Sequence, residues 1–225
     1  MRNCILILIL TGLISCGKDR RSTPNAVKTK IVEPLENIII SKPLNSKQDY
    51  KEFIDTKFEY TDSKDKSLTI QNSLPRGGLN FTDKFGKDYV YFIFWSKITN
   101  ETDSSFKLNL EFSADLYELS SSSNNNFRIV FPTEKMEIDK VSLFDYGLSN
   151  LKSTLDNKLE NSNTLKTTIN SNETSAFYVI ILFEKSVDGL VRTGLSLKDN
   201  KVYYKVNDKE IYIGNYNIKN LKLKN

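Results

Sequence analysis

Apolar and polar side chains alternate along several short stretches of this sequence, and this period of two limits the fold more than any other feature. The clearest case is FKLNLEF, residues 106–112, in which four apolar side chains alternate with three polar ones. Successive side chains of a β-strand point to opposite faces, so the pattern is typical of a strand with one buried face. Similar alternation around Phe58 and Leu68 predicts further strands of the same kind.

Two other runs are apolar on both faces. YVYFIFW (89–95) and AFYVIILF (176–183) are rich in aromatic and β-branched residues and too short to span a membrane, which favours central strands covered on both sides. Polar turns separate the predicted strands, and residues 207–209 predict the turn of a hairpin. Roughly nine to ten strands at this spacing predict a mainly β domain, an antiparallel β-sandwich that is Ig-like in broad architecture.

One segment has a helical period. Within residues 145–160 four leucines recur at steps of three and four, which predicts one short amphipathic helix that closes an end of the sandwich or covers an edge. Asp145 or Ser149 is expected to cap its start. A second short helix is predicted from Ser46 through Ile54, because the segment begins with the spacing of a capping box.

The N-terminal residues combine one positive charge, an apolar run from Cys4 to Leu10 and then the sequence LISC, residues 13–16. A membrane-spanning helix needs about 20 apolar residues and the core of a signal peptide roughly 7 to 15, so the run predicts an export signal. The LISC sequence resembles the lipobox of bacterial lipoproteins. That resemblance implies that cleavage falls before Cys16, that Cys16 carries a thioether-linked diacylglycerol and that its new amino group is acylated. The alternative is a secreted protein in which this cysteine occurs by chance.

The residues after the cysteine refine the location. In the lipoprotein family an Asp at the position of Gly17 favours retention in the inner membrane, so its absence points to the outer membrane, with the lipid anchor as the membrane contact. Lys18 and Asp19 resemble a surface-export signal, although Arg20 stands where a second acid belongs. The cell surface and the periplasmic face both stay open.

These patterns divide the chain into three parts. Residues 1–15 are predicted to be a lipoprotein signal peptide, and residues 16–45, which are polar and contain three prolines, a tether that begins at the lipidated cysteine. Residues 46–225 are predicted to form a single β-sandwich domain.

The composition excludes several kinds of chemistry. The sequence has no histidine and two cysteines. Cys4 is predicted to leave with the signal peptide, and the lipobox resemblance implies that Cys16 is lipidated. Ser-His-Asp and Cys-His catalysis, thiol redox chemistry and zinc sites built from Cys and His are therefore excluded, and no cofactor or metal is expected. The 32 basic and 28 acidic residues are interleaved, whereas a nucleic-acid-binding protein shows a basic stripe. Nucleic acid is therefore not an expected partner.

Arginine is rare beside lysine in this chain, and two arginines are candidate ligand contacts. Arg76 lies in Pro-Arg-Gly-Gly, where glycines allow a partner to approach the backbone, and Arg192 lies on a predicted strand. A guanidinium can grip a carboxylate or stack on a ring as an ammonium cannot. The functional hypothesis is a pair that holds an anion or a glycan. The alternative is that each arginine makes a structural ion pair.

Aromatic side chains supply the other candidates. Tyr89, Tyr91 and Trp95 share one face of their predicted strand. If that face is open, Tyr91 and Trp95 could stack on sugar rings. If a helix or a second sheet covers it, the same side chains belong to the core.

The sequence thus favours a non-enzymatic binding or assembly module for protein or glycan, anchored at the outer membrane. One alternative is a carboxylate-based glycoside hydrolase acting on envelope or external polysaccharide, which needs two acids about 5 to 9.5 Å apart in a cleft. Another alternative is a structural accessory subunit of a secretion or adhesion machine. No catalytic residue is predicted.

Overall fold

The computed structural model describes residues 49–119, 125–159 and 163–224. Within these ranges the chain is mainly β, with antiparallel sheets and one α-helix, which confirms the fold class at that level. The predicted signal peptide, Cys16 and the tether lie outside the described residues.

Thirteen strands are present in the described ranges, of which two are only two residues long. In chain order, β1 to β13 are Ile54–Thr61, Ser67–Ser73, Arg76–Thr82, Asp88–Asn100, Phe106–Phe112, Tyr117–Glu118, Asn126–Val130, Asn163–Ile169, Glu173–Phe183, Thr193–Lys198, Lys201–Val206, Lys209–Tyr216 and Lys222–Leu223. The α-helix, α1, is Leu151–Lys158, and short 3-10 helices span Asp49–Phe53, Ile138–Lys140 and Phe144–Gly147. The predicted hairpin turn is found between β11 and β12.

The strands form two sheets. The larger sheet has the order β13-β1-β2-β4-β9-β7-β6, and the smaller has the order β10-β11-β12-β5-β8. Strand β4 is long enough to pair with β3 over Asp88–Ile93 and with β2 over Ser96–Asn100 on the same side, while β9 pairs with it on the other. Every neighbouring pair of strands is antiparallel.

The central strands of the larger sheet, β4 and β9, are buried on both faces. One face shares a core with the smaller sheet, to which Phe94 and Leu195 contribute from opposite sheets. The other face carries Trp95 and Tyr178 and packs against Leu155 and its neighbours in residues 131–159. Strands β4 and β9 are therefore central strands covered on both sides, as their doubly apolar sequences predict.

The helix lies over a face of the larger sheet, and not at an end or an edge as expected. Because β4 and β9 present apolar side chains on that face, it needs a cover, and α1 supplies Leu155 with Leu151 and Leu159 beside it. The predicted caps are also wrong, since Asn150 is the N-cap residue and makes no capping side-chain hydrogen bond. The first predicted helix is a 3-10 turn at Asp49–Phe53, and residues 46–48 lie outside the described ranges.

Candidate functional site

A cleft of about 580 Å³ opens where β1 of the larger sheet meets β10, β11 and β12 of the smaller sheet. This volume is within the usual range for small-ligand sites, about 300 to 1,000 Å³. Asp55 and Phe58 line it from β1, Arg192 and Ser196 from β10 and the residue before it, and Glu210 from β12. We refer to this concavity as the cleft.

An ion pair between Asp55 and Arg192 lies at one wall of the cleft. The pairing of β1 with β2 shifts register between Ile54 and Thr56, so Asp55 occupies a β-bulge, a feature that commonly redirects a side chain. The Asp55 side chain is 7% exposed and the Arg192 side chain is 54% exposed. A guanidinium has five N–H donors, so this ion pair orients Arg192 while donors stay available to a ligand.

The backbone of Arg192 is held by the turn between β11 and β12. Its N–H donates to Asn207 Oδ1 at 2.8 Å, and the N–H of Asn207 donates to the Arg192 carbonyl oxygen at 2.8 Å. The prediction that Arg192 lies within a strand is wrong, because β10 begins one residue later, at Thr193. Its position is therefore set by two main-chain contacts and one ion pair.

The wall behind the cleft is built on Asn72, which is 1% exposed. Its Oδ1 accepts from Leu195 N–H at 2.9 Å and from Ser96 Oγ at 2.8 Å, and its Nδ2 donates to Thr56 Oγ1 at 3.0 Å and to the Leu195 carbonyl at 3.2 Å. A Cβ at Gly194 would lie 3.3 Å from Asn72 Nδ2, so the glycine allows this close approach. Asn72 thereby joins β10 to the larger sheet.

Arg76 does not line the cleft. Its guanidinium carbon lies 5.0 Å from the ring centroids of both Phe53 and Tyr146, a cation–π contact on each side. Gly77 has a φ of +103°, and a Cβ there would lie 2.8 Å from the Tyr91 carbonyl oxygen. The glycines beside Arg76 therefore serve the packing of β3 on β4. The structure does not bring Arg76 and Arg192 into one site.

Tyr91 and Trp95 are 5% and 0% exposed. With Tyr89, they pack beneath residues 131–159, so their face of β4 is part of the core, the alternative that the sequence left open. The Trp95 ring makes an edge contact with the Tyr146 ring at a centroid distance of 6.3 Å. Neither ring offers a surface on which a ligand could stack.

A buried carboxyl group lies in the same core. Asp145 is 5% exposed, and its Oδ2 accepts from the Tyr91 hydroxyl at 3.2 Å. Burial raises the pKa of Asp145, against the opposing effects of this hydrogen bond and of the Arg76 charge. Burial, and then the nearby Asp145 charge, raise the pKa of Tyr91 to about 12.

The backbone around this carboxyl is strained. Asp145, Tyr146 and Gly147 have φ values of +51°, +57° and +76°, and only the glycine adopts such values without cost. Tyr146 is fully buried, its hydroxyl donates to the Leu74 carbonyl at 2.7 Å, and its own carbonyl accepts from the Tyr178 hydroxyl at 2.9 Å. These contacts hold the turn in place, so we interpret it as a structural device that closes the covered face.

Sequence reasoning missed Asp55, Phe58 and Asn72 as site residues. A bulge leaves no compositional mark, so nothing in the sequence distinguishes Asp55 from other acids. Asn72 did carry a signal, because it follows Leu68 and Ile70 at period two and is thus a polar residue on a buried strand face.

Neither a metal centre nor a membrane span is evident in the described ranges. They contain no group of three or more Cys, Asp or Glu residues that could hold a metal ion. None of their helices is long and apolar enough to cross a bilayer. No known protein family, curated protein or solved structure matches this chain.

Proposed function

We propose that this chain is an envelope lipoprotein anchored in the outer membrane through Cys16, and that its domain, a β-sandwich of broadly Ig-like architecture, is a non-enzymatic binding module. The anchor rests on the lipobox-like residues 13–16. The binding role rests on the cleft, in which the ion pair of Asp55 and Arg192 lies close to the aromatic side chain of Phe58.

The lining of the cleft favours a neutral glycan as ligand. Phe58 is half-buried and exposes part of its ring, which can stack on the C–H face of a sugar. Around it stand hydroxyl groups and five charged side chains, three acidic and two basic: Asp55, Asp208, Glu210, Arg192 and Lys205. Both signs can hydrogen-bond to sugar hydroxyls, whereas the excess of acids opposes a strongly anionic ligand.

The hydrolase alternative uses the acids of the same cleft. A general acid for glycoside cleavage must stay protonated at neutral pH, which burial in an apolar site achieves. Asp208 and Glu210 are exposed, and Asp55 is held by Arg192. Burial raises the pKa of Asp145, but that residue does not line the cleft. We therefore favour binding over hydrolysis.

A glycan array tests the proposal. The chain from residue 17 onward, fluorescently labelled, is applied to neutral and acidic oligosaccharides, and the affinity for each retained glycan is measured in solution. Arg192→Lys should weaken binding about tenfold or more, because a planar bidentate donor is lost while the charge remains. Phe58→Leu should weaken it about fivefold through the loss of ring stacking.

Phe85→Leu is the matched control, since Phe85 is 74% exposed in the turn between β3 and β4 and does not line the cleft. Retention of no glycan, or retention that neither cleft variant alters, would contradict the proposal. Release of reducing ends from a bound glycan, lost in Glu210→Gln, would support the hydrolase instead.

A further inference from the structure

We propose that the free edge of β8 binds an extended segment of a partner protein, which adds as a further strand to the smaller sheet and places an acidic side chain opposite Lys166. This surface lies at the opposite end of the sheet order from β10, which borders the cleft.

Contacts of β5 show which main-chain groups of β8 point outward. The side chain of Asn217, which follows β12, accepts from Lys107 N–H at 2.7 Å, so the main-chain groups of Lys107 point toward β12. Those of Leu108 and Leu110, one residue out of phase, therefore point toward β8, where they face Thr167 and Leu165.

The main-chain groups of the alternate residues of β8 consequently point away from the sheet. Thr164, Lys166 and Thr168 each direct one N–H donor and one C=O acceptor to the open side, and no described residue hydrogen-bonds to these groups. A groove of about 350 Å³ runs beside them, bounded by residues 132–135 and by the start of β9. We refer to it as the edge groove.

The other strand edges in the described ranges carry features that hinder strand addition. The edge of β10 is occupied by side chains, since Leu195 N–H and C=O bond to Asn72 and Leu197 N–H donates to Tyr60 Oη at 2.8 Å. The edge of β1 has a bulge and is partly covered by β13, and β3 has a bulge between Gly77 and Leu79. The end strands β6 and β13 are each two residues long.

Strand β8 differs from them. It has seven residues, contains no proline, and pairs with β5 without a shift of register. Bulges, prolines, short length and charge are the usual protections of an edge, and Lys166 is its only charged residue.

Lys166 also selects the partner. If a second copy paired with β8 in the antiparallel register that uses all three open residues, Lys166 would stand opposite itself, and like charges directly across a ladder are unfavourable. A different chain with an acid at that position gains an ion pair instead. Its neighbouring side chains would turn toward the edge groove, where Pro132 and Phe177 lie beside the polar residues Thr133, Glu134 and Lys135. Valine suits these positions because of its strand propensity.

The test uses two capped pentapeptides, TVEVT and TVKVT, and the ¹⁵N-labelled chain from residue 17 onward. We expect TVEVT to shift the amide resonances of Thr164, Lys166 and Thr168, to slow their hydrogen exchange, and to bind about fivefold more tightly than TVKVT. In the free protein these three amides should exchange fast, while those of Leu165 and Thr167 are protected by β5.

Lys166→Glu keeps the backbone and should reverse the preference between the two peptides. Lys198→Glu, on the protected edge of β10, is the matched control and should leave it unchanged. Three results would overturn the proposal: no response to either peptide, slow exchange at all three open amides without peptide, or concentration-dependent self-association of the free chain that involves β8.

Discussion

Replacing Asn72 by alanine is the sharpest test of how the two sheets are held together. This side chain uses its full hydrogen-bonding capacity on partners in β1, β4 and β10, and it is buried. The substitution leaves the N–H and C=O of Leu195 and the hydroxyl of Ser96, which is 1% exposed, without those partners.

The expected loss of stability follows from these groups. A buried polar group left unsatisfied costs about 1 to 3 kcal/mol. Three such groups would together cost about 3 to 9 kcal/mol, but water entering from the cleft beside Thr56 can satisfy some of them. We therefore expect Asn72→Ala to lower the free energy of unfolding by about 3 to 5 kcal/mol, an unusually large effect for one substitution.

Urea denaturation followed by circular dichroism measures this difference, and Asn109→Ala is the control. Asn109 lies in the middle of β5 with its side chain exposed, so its loss should change the free energy of unfolding by no more than about 0.5 kcal/mol. Hydrogen exchange adds a local readout, because the amide of Leu195 should exchange faster in Asn72→Ala. If the free energy of unfolding of both variants stays within about 1 kcal/mol of the parent value, Asn72 is not what holds β10 to the larger sheet.

Three further predictions concern the anchor, the arginines and the buried acid. Cys16→Ser should leave an unprocessed precursor that takes up no palmitate analogue during metabolic labelling, and continued labelling would refute the anchor. Arg76→Lys should lower the free energy of unfolding by about 1 kcal/mol through weaker ring contacts and leave glycan affinity unchanged, the reverse of Arg192→Lys. Because burial raises the pKa of Asp145 above its ordinary value of 3.8, the folded state binds more protons than the unfolded state, and this group lowers stability as pH rises from the ordinary to the raised pKa. Asp145→Asn should remove that decline in unfolding measured against pH, and an unchanged profile would count against it.

The elements that the sequence predicts well are those whose burial repeats along the chain. Residues 106–112 form β5 with four buried and three exposed side chains in strict alternation, and the doubly apolar runs form β4 and β9 at the centre of the larger sheet. Period reports burial residue by residue, so it finds strands and their covered faces.

Period does not report which strands become neighbours, and the site depends on that. The sequence makes both Arg76 and Arg192 candidates for ligand contact, yet Arg76 is stacked between two rings and Arg192 borders the cleft. The same limit explains the helix. Its leucines predict an apolar stripe, but only the position of β4 and β9 shows that the stripe covers a face.

The two end strands of the smaller sheet have opposite characters, and this decides what kind of assembly the domain can support. If both edges were open, one molecule could add its β8 to the β10 of the next, and such a head-to-tail contact continues into a filament unless its rotation closes a ring. Asn72 and Tyr60 occupy the β10 edge with side chains, so that contact is blocked. The open edge of β8 can then accept one strand per molecule, which fits a module that receives a single partner and does not polymerise.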